Sequence, residues 1–191
     1  MKSLRLTLCA MPLLLAGCST LSSVNWSAAN PWNWFGSSTQ VTEQGVGALT
    51  SATPLDEKAI ADALDGDYRL RSGMKTDNGN VVRFYEAMKD DKLAIVINGN
   101  QGTISRIDVL DHDISSVAGV EIGTPFSDLY TKAFGNCQKA TGDDSAGVEC
   151  KAEGSQHISY IFSGEWSGPE DIMPSDDTLK AWKVSKIIWR R

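Results

Sequence analysis

The hydrophobic rhythm of the chain changes several times, and each change marks an element. Residues 6–15 are almost continuously apolar, behind the cations Lys2 and Arg5. Between Cys18 and Thr53 no period survives, and Ser, Thr, Asn and Gly dominate. At Thr53-Pro54-Leu55-Asp56-Glu57 a hydroxyl, a proline and two acids precede Ala59, Ile60, Ala63 and Leu64, which share one face at helical spacing. This predicts a helix capped by Thr53, opened by Pro54 and closed near Asp65-Gly66. A hydroxyl cap satisfies the first free amides, and proline has none to satisfy.

The period then shortens to that of strands. Residues 68–74, 81–88, 93–97 and 103–110 are rich in β-branched, aromatic and aliphatic side chains. Asp77-Asn78-Gly79-Asn80, Lys89-Asp90-Asp91-Lys92 and Asn98-Gly99-Asn100-Gln101-Gly102 separate them. Connections this short join antiparallel neighbours, whereas parallel strands need long crossovers. Gly123-Thr124-Pro125 repeats the Thr-Pro start, with Phe126, Leu129, Tyr130 and Ala133 as an apolar stripe and Gly135 as the stop, so a second helix is expected. Strands resume at 148–152, 157–162 and 182–189, the last alternating imperfectly, while the polar residues 163–178 read as a long loop. The fold class is α+β: a largely antiparallel meander with two short helices packed on it.

With 191 residues the chain suits one cored domain plus appendages. Lys2, Arg5, the apolar run and the small residues Ala16 and Gly17 have the three-part layout of a secretory signal. The run is about 10 residues, short of the ~20 that cross a bilayer as a helix. Leu15-Ala16-Gly17-Cys18 resembles the lipobox of bacterial lipoproteins, in which the Cys sulfur is acylated and cleavage falls just before it. The resemblance implies removal of 1–17 and a lipid anchor on Cys18. Several acyl chains on one residue hold a protein durably in a membrane, at ~0.8 kcal/mol per buried CH₂. Ser19 stands where an Asp would direct inner-membrane retention in enterobacterial lipoproteins, so the class implies the outer membrane, facing the periplasm. Of the four Cys, Cys9 falls in the leader and Cys18 carries lipid. Cys137 and Cys150 remain, and an oxidising compartment pairs them as a disulfide.

Residues 18–52 read as a tether and 53–191 as the domain. A flexible tether of ~35 residues spans on the order of 30–35 Å. Within it, Trp26, Trp32, Trp34 and Phe35 are a candidate interface, for a bilayer surface, for a protein partner, or for the domain itself. A formal charge of -6, from 18 basic and 24 acidic side chains, is the opposite of what a phosphate-backbone binder needs, and nucleic acid is not an expected partner.

Several segments together carry a more specific likeness. They are the lipobox, Asn25-Trp26-Ser27-Ala28-Ala29-Asn30-Pro31-Trp32-Asn33-Trp34-Phe35-Gly36, Asp65-Gly66-Asp67-Tyr68-Arg69-Leu70-Arg71, Gly123-Thr124-Pro125-Phe126-Ser127-Asp128-Leu129-Tyr130, and the ending Trp182-Lys183-Val184-Ser185-Lys186-Ile187-Ile188-Trp189-Arg190-Arg191. The chain resembles the enterobacterial RpoE-regulated lipoprotein family along nearly its whole length. That resemblance implies an envelope-stress-regulated lipoprotein with a domain of unknown function, and supplies no catalytic residue. More loosely, residues 123–135 are similar to periplasmic lipoprotein domains that act as accessory subunits in outer-membrane assembly.

Reactive chemistry is sparse. Asp108, Asp111, His112 and Asp113 form the densest set of candidate metal ligands, although an Asp-rich turn explains them without an ion. His157 opens an apolar strand with no relay partner placed by the sequence, and the serines lack a Gly-x-Ser-x-Gly context. Gly99-Asn100-Gln101-Gly102 lacks the Lys and helix of a phosphate cradle. The expectation is a non-enzymatic, lipid-anchored accessory or binding module without metal or cofactor, acting through envelope protein partners. The alternatives are a small metal-dependent hydrolase built on the Asp108–Asp113 set, or a carrier of a small ligand.

Overall fold

The last strand of the chain sews two meanders into one sheet. The computed structural model describes residues 39–77, 79–169 and 171–191. The leader at 1–17, Cys18 and the candidate interface Trp26, Trp32, Trp34 and Phe35 lie outside the described residues.

Three short strands come first: β1 (Gln40–Thr42), β2 (Gly45–Val46) and β3 (Leu49–Thr50). They lie in the stretch expected to be tether, and Val41, Val46 and Leu49 have no exposed surface. Residues 40–50, expected to be tether, therefore belong to the sheet structure and its core. With only two or three residues apiece, these strands carry too short a period to be read from sequence.

Helix α1 (Glu57–Ala63) follows, with Ile60 fully buried. Its cap is Asp56, whose carboxylate accepts from the Ala59 amide at 2.9 Å, and not Thr53. Thr53 and Leu55 are held in extended form instead, since the Leu55 amide donates to the Gly102 carbonyl at 2.9 Å and the Ile104 amide to that of Thr53 at 3.2 Å.

The meander β4 (Arg69–Asp77), β5 (Asn80–Lys89), β6 (Lys92–Asn100) and β7 (Thr103–Val109) runs as the turn chemistry predicts. Asp90 and Asp91 both have positive φ, as do Gln101 and Gly102, the backbone of two-residue hairpin loops whose twist matches that of the strands. β8 (Ser115–Ser116) then pairs in parallel with β1, giving a small sheet of order β3-β2-β1-β8.

The second expected helix is a single turn, α2 (Phe126–Leu129), because Tyr130 turns extended at φ -136° and ψ 136°. Its hydroxyl donates to the Lys151 carbonyl at 2.6 Å, and its ring packs on Phe126 and Phe162. Strands β9 (Cys137–Lys139), β10 (Val148–Lys151) and β11 (Ile158–Ser163) follow, with a short 3-10 turn at Gly142–Asp144 between β9 and β10. A third helix, α3 (Asp176–Leu179), sits at the end of the expected long loop, capped by the Ser175 hydroxyl on the Thr178 amide.

β12 (Lys183–Arg190) pairs with β11 on one side and β7 on the other, giving the order β4-β5-β6-β7-β12-β11-β10-β9. Its imperfect alternation is a bulge: Phe162 opposes Val184 and Ile161 opposes Lys186, leaving Ser185 as the extra residue. The extra residue resets parity, so that Val184, Ile187 and Trp189 all face the core. That face of the sheet, the small sheet, Ile60, Phe126 and Leu179 form one hydrophobic cluster. The architecture of the described residues is thus a mostly antiparallel sheet domain with three short helices, within the α+β class. Among the described residues no helix is long and apolar enough to cross a membrane.

Candidate functional site

The acidic run leaves β7 as a turn. The Ile114 amide donates to the Asp111 carbonyl at 3.2 Å, and the Asp113 amide to Asp111 Oδ1 at 2.9 Å, the local bonding that Asp-rich turns favour. Ligand atoms of Asp111, His112 and Asp113 lie within 4.8 Å of one another, beside a concavity of about 150 Å³. Asp108 does not join them: its carboxylate is bound to Arg106 Nε at 2.6 Å. The four-residue set read from sequence is therefore two separate arrangements.

The remaining three already face a cation. Lys89, at the end of β5, places Nζ 2.9 Å from Asp113 and 3.4 Å from Asp111. The hydrogen bond to Asp113 is the main reason the ammonium is held above its ordinary range, and the same bond, with His112, holds the Asp113 carboxyl below its own. Nearby, burial and then the Asp111 charge push the Tyr68 hydroxyl upward. Asp111 is buried and a lysine neutralises it, so this donor set fits an internal ion pair better than a divalent ion.

A second arrangement lies on the sheet face turned away from the core. Cross-strand register places Arg106 opposite Arg190, and Ile188 between Asp108 and Ser159, so these side chains share that face. Arg106 reaches Asp144 at 3.3 Å, and Lys186 reaches the same carboxylate at 2.6 Å. Beneath them Ala140, Ile161 and Ile188 form a small apolar cluster of their own. Arg190 and Ser159 both donate to Glu149 Oε1, and Arg190 Nη1 lies 2.9 Å from Ser159 Oγ. Burial alone would raise the Glu149 carboxyl, but these bonds outweigh it and hold it below its ordinary value.

Beside this network runs a groove. A concavity of about 410 Å³ lined by Gln138, Glu149, Lys151 and His157 shares residues with one of about 270 Å³ along Asn136 and Gln138. A third, of about 410 Å³, continues past Gly135 to Thr131 and also includes Lys151. Lys151 is common to all three, so they form one continuous trough around β9 and β10.

Its floor is stiffly built. Cys137 and Cys150 are bonded at a directly paired position of β9 and β10, with 2.07 Å between sulfurs and Cys150 fully buried. Alternation then turns Gln138 and Glu149, also a direct pair, outward into the trough. The rim is fixed from the start of the domain: Glu43 accepts from Ser155 Oγ and, at 3.3 Å, from the Gln156 amide. Trp189 Nε1 donates to the Glu43 carbonyl at 3.0 Å. His157 is structural in part, its Nδ1 lying 2.7 Å from the Arg190 carbonyl.

No sequence motif marks these groove residues. The available signal was the alternation of polar Gln138, Glu149 and Lys151 with buried Val148 and Cys150, legible only once the strands are paired.

A sheet domain of two meanders with a polar trough along one edge is the class of protein that the fold and the site define. The chain belongs to the DUF1131 family, described as "Protein of unknown function", whose sequence profile matches residues 23–191. It is 82% identical over 191 residues to the uncharacterized protein YfeY of Escherichia coli strain K12, with both chains covered completely. The crystal structure of the uncharacterized protein yfeY from Escherichia coli is similar at TM-score 0.75 and 76% identity, covering 80% of this chain and all of that one.

Proposed function

We propose that the chain is a non-catalytic binding module of the bacterial envelope, anchored at the outer membrane by acyl chains on Cys18, facing the periplasm and under envelope-stress control. The leader, the lipobox and the family resemblance support the location. The observation that carries the binding reading is the state of the reactive groups. Lys89 neutralises Asp111 and Asp113, Arg106 holds Asp108, and Arg190 holds Glu149 while its carbonyl meets His157. A general acid, base or metal ligand needs a free site for the reacting partner. Apart from Asp111 Oδ2, which accepts no hydrogen bond and meets Lys89 only as an ion pair at 3.4 Å, these groups are bonded to one another, and the open polar trough is suited to contacts.

The test joins crosslinking in cells, followed by identification of captured envelope components, to metal analysis of the purified full-length protein. Specific crosslinks from positions along the trough, with no stoichiometric metal, are expected. A bound divalent ion lost on His112→Ala or Asp111→Ala would overturn the reading in favour of a hydrolase. Release of the protein from sedimented envelopes without detergent would overturn the anchor.

A further inference from the structure

The eight-stranded sheet ends in two edges of different kinds. β9 closes one of them with three residues and a disulfide to its neighbour. β4 closes the other with nine residues, about 30 Å of strand, paired along its whole length with β5 and without a bulge. Sheets usually keep their edges short, bent or covered, because an open strand is a template for another.

The register fixes which groups this edge offers. Asp77 and Asn80 close a two-residue loop and so form a hydrogen-bonded pair. The alternation of an antiparallel ladder then makes Lys75, Gly73, Arg71 and Arg69 the residues that bond to β5. Leu70, Ser72, Met74 and Thr76 aim their amides and carbonyls outward, and among the described residues no backbone group meets them there.

The side chains beside that open backbone have a pattern. On the core side of the sheet Met74 is 67% exposed, and Val81, diagonal to it on β5, is 71% exposed. On the opposite side the Phe84 ring lies over Gly73, where an added Cβ would stand 2.4 Å from it, and Lys75 Nζ is 5.8 Å from the ring centroid. Arg69 and Arg71 are balanced by Asp91 and Glu86. Lys75 meets no carboxylate among the described residues, and from Arg69 to Thr76 the strand has no acid.

We propose that the β4 edge takes up an extended segment of a partner protein as an added strand, one in which acidic and apolar residues alternate. This goes beyond the trough and gives the binding module a second contact surface. Bonds to the backbone of Leu70, Ser72, Met74 and Thr76 supply the pairing. Apolar side chains of the segment cover Met74 on the core side, and its carboxylates meet Lys75 on the other. A second copy of this chain fits less well: antiparallel pairing about Gly73 sets Arg71 and Lys75 against each other, and like charges directly opposite destabilise a ladder. The chain's own residues 18–38 contain no charged side chain to answer Lys75.

The experiment titrates the purified full-length protein with three blocked octapeptides, alternating Glu–Val, Ser–Val and Lys–Val, and follows calorimetry and amide hydrogen exchange. In the free protein the amides of Leu70, Ser72, Met74 and Thr76 should exchange fast and those of Arg71, Gly73 and Lys75 slowly. The Glu–Val peptide is expected to bind saturably and to protect the first set, with Ser–Val weaker and Lys–Val weaker still. Lys75→Glu weakens Glu–Val binding about fivefold, the factor that ~1 kcal/mol represents. Ser72→Pro, which removes one outward amide and spares the bonds to β5, abolishes it. Val117→Ala, at an exposed apolar residue outside the hairpin, leaves it unchanged, and thermal melts establish that the variants fold. No saturable binding at millimolar concentration, or equal affinity for the three peptides, overturns the proposal. Protection of the four outward amides before any peptide is added also overturns it, because a second copy or residues 18–38 would then hold the edge. A protein that takes no peptide at β4 yet crosslinks to envelope components from the trough fails this inference alone, and the binding-module reading stands.

Discussion

Cutting the chain at Thr53, where sequence rhythm alone would place the domain boundary, removes β1, β2 and β3. Three side chains with no exposed surface go with them: Val41, Val46 and Leu49. Burying one Val or Leu side chain stabilises by about 1.5–3 kcal/mol, so the three together supply roughly 5–9 kcal/mol. The Trp189 indole also loses its acceptor at the Glu43 carbonyl, and the Gln156 amide loses the Glu43 carboxylate. Each such loss costs about 1 kcal/mol, more where the orphaned donor stays buried. A whole domain has only about 5–15 kcal/mol to lose. A chain starting at Thr53 is therefore expected to lack cooperative unfolding, whereas one starting at Thr39 retains it. Urea titrations followed by far-ultraviolet circular dichroism and Trp fluorescence measure both. In the Thr39 form, Leu49→Ala should cost about 3–5 kcal/mol, as large-to-small changes in tight cores do. Superimposable urea transitions for the two truncated chains would refute the reasoning, because β1–β3 would then be a decoration and not part of the core.

Further outcomes follow from the same geometry. Replacing Cys137 and Cys150 by Ser opens a loop closed at a sequence separation of 13, and should lower stability by ~3 kcal/mol on the chain-entropy account, seen as a lower urea midpoint that reductant does not shift further. The Glu149 carboxyl is depressed in the folded state, so the unfolded chain takes up its proton first; this stability is complete above the ordinary value of 4.5 and is lost as pH falls toward the folded value. Arg190→Met removes its hydrogen bond and its charge and leaves Ser159 and Arg106 against burial, so the carboxyl moves upward and the loss of stability at acid pH shrinks, which urea midpoints at acid and neutral pH detect. Lys89→Met should let the Asp113 carboxyl rise back toward its ordinary range, read by carboxyl carbon chemical shifts, and leave buried Asp111 without its cation.

Much of the first meander was legible because its turns announce themselves. Asp90-Asp91 and Gln101-Gly102 lie between long alternating strands, and local chemistry there agrees with the tertiary outcome. Elsewhere tertiary contacts overrode local signals. Thr53-Pro54 looked like a helix start, yet bonds to Gly102 and Ile104 draw it along β7 and the helix waits for Asp56. The stripe through Ala133 promised a longer α2, but Tyr130 is diverted onto the Lys151 carbonyl. Ser185 disguised the central strand, since one bulged residue breaks the alternation by which strands are recognised. The acidic turn was visible as a cluster, but Lys89 stands 22 residues before Asp111, and only the pairing of β5 with β6 and of β6 with β7 brings them together. The trough was invisible for the same reason, since β9, β10, β11 and β12 each contribute one or two side chains to it.

β12 sits in the middle of the sheet although it follows every other described element in the chain. Until residues 183–190 are present, β7 has no neighbour on that side and neither has β11. A polypeptide made amino end first thus holds two half-built ribbons with unpaired flanks, and the sheet closes only when residues 183–190 join them. A stop codon before residue 183 would leave those ribbons unjoined, which makes this one strand a keystone for both halves of the sheet.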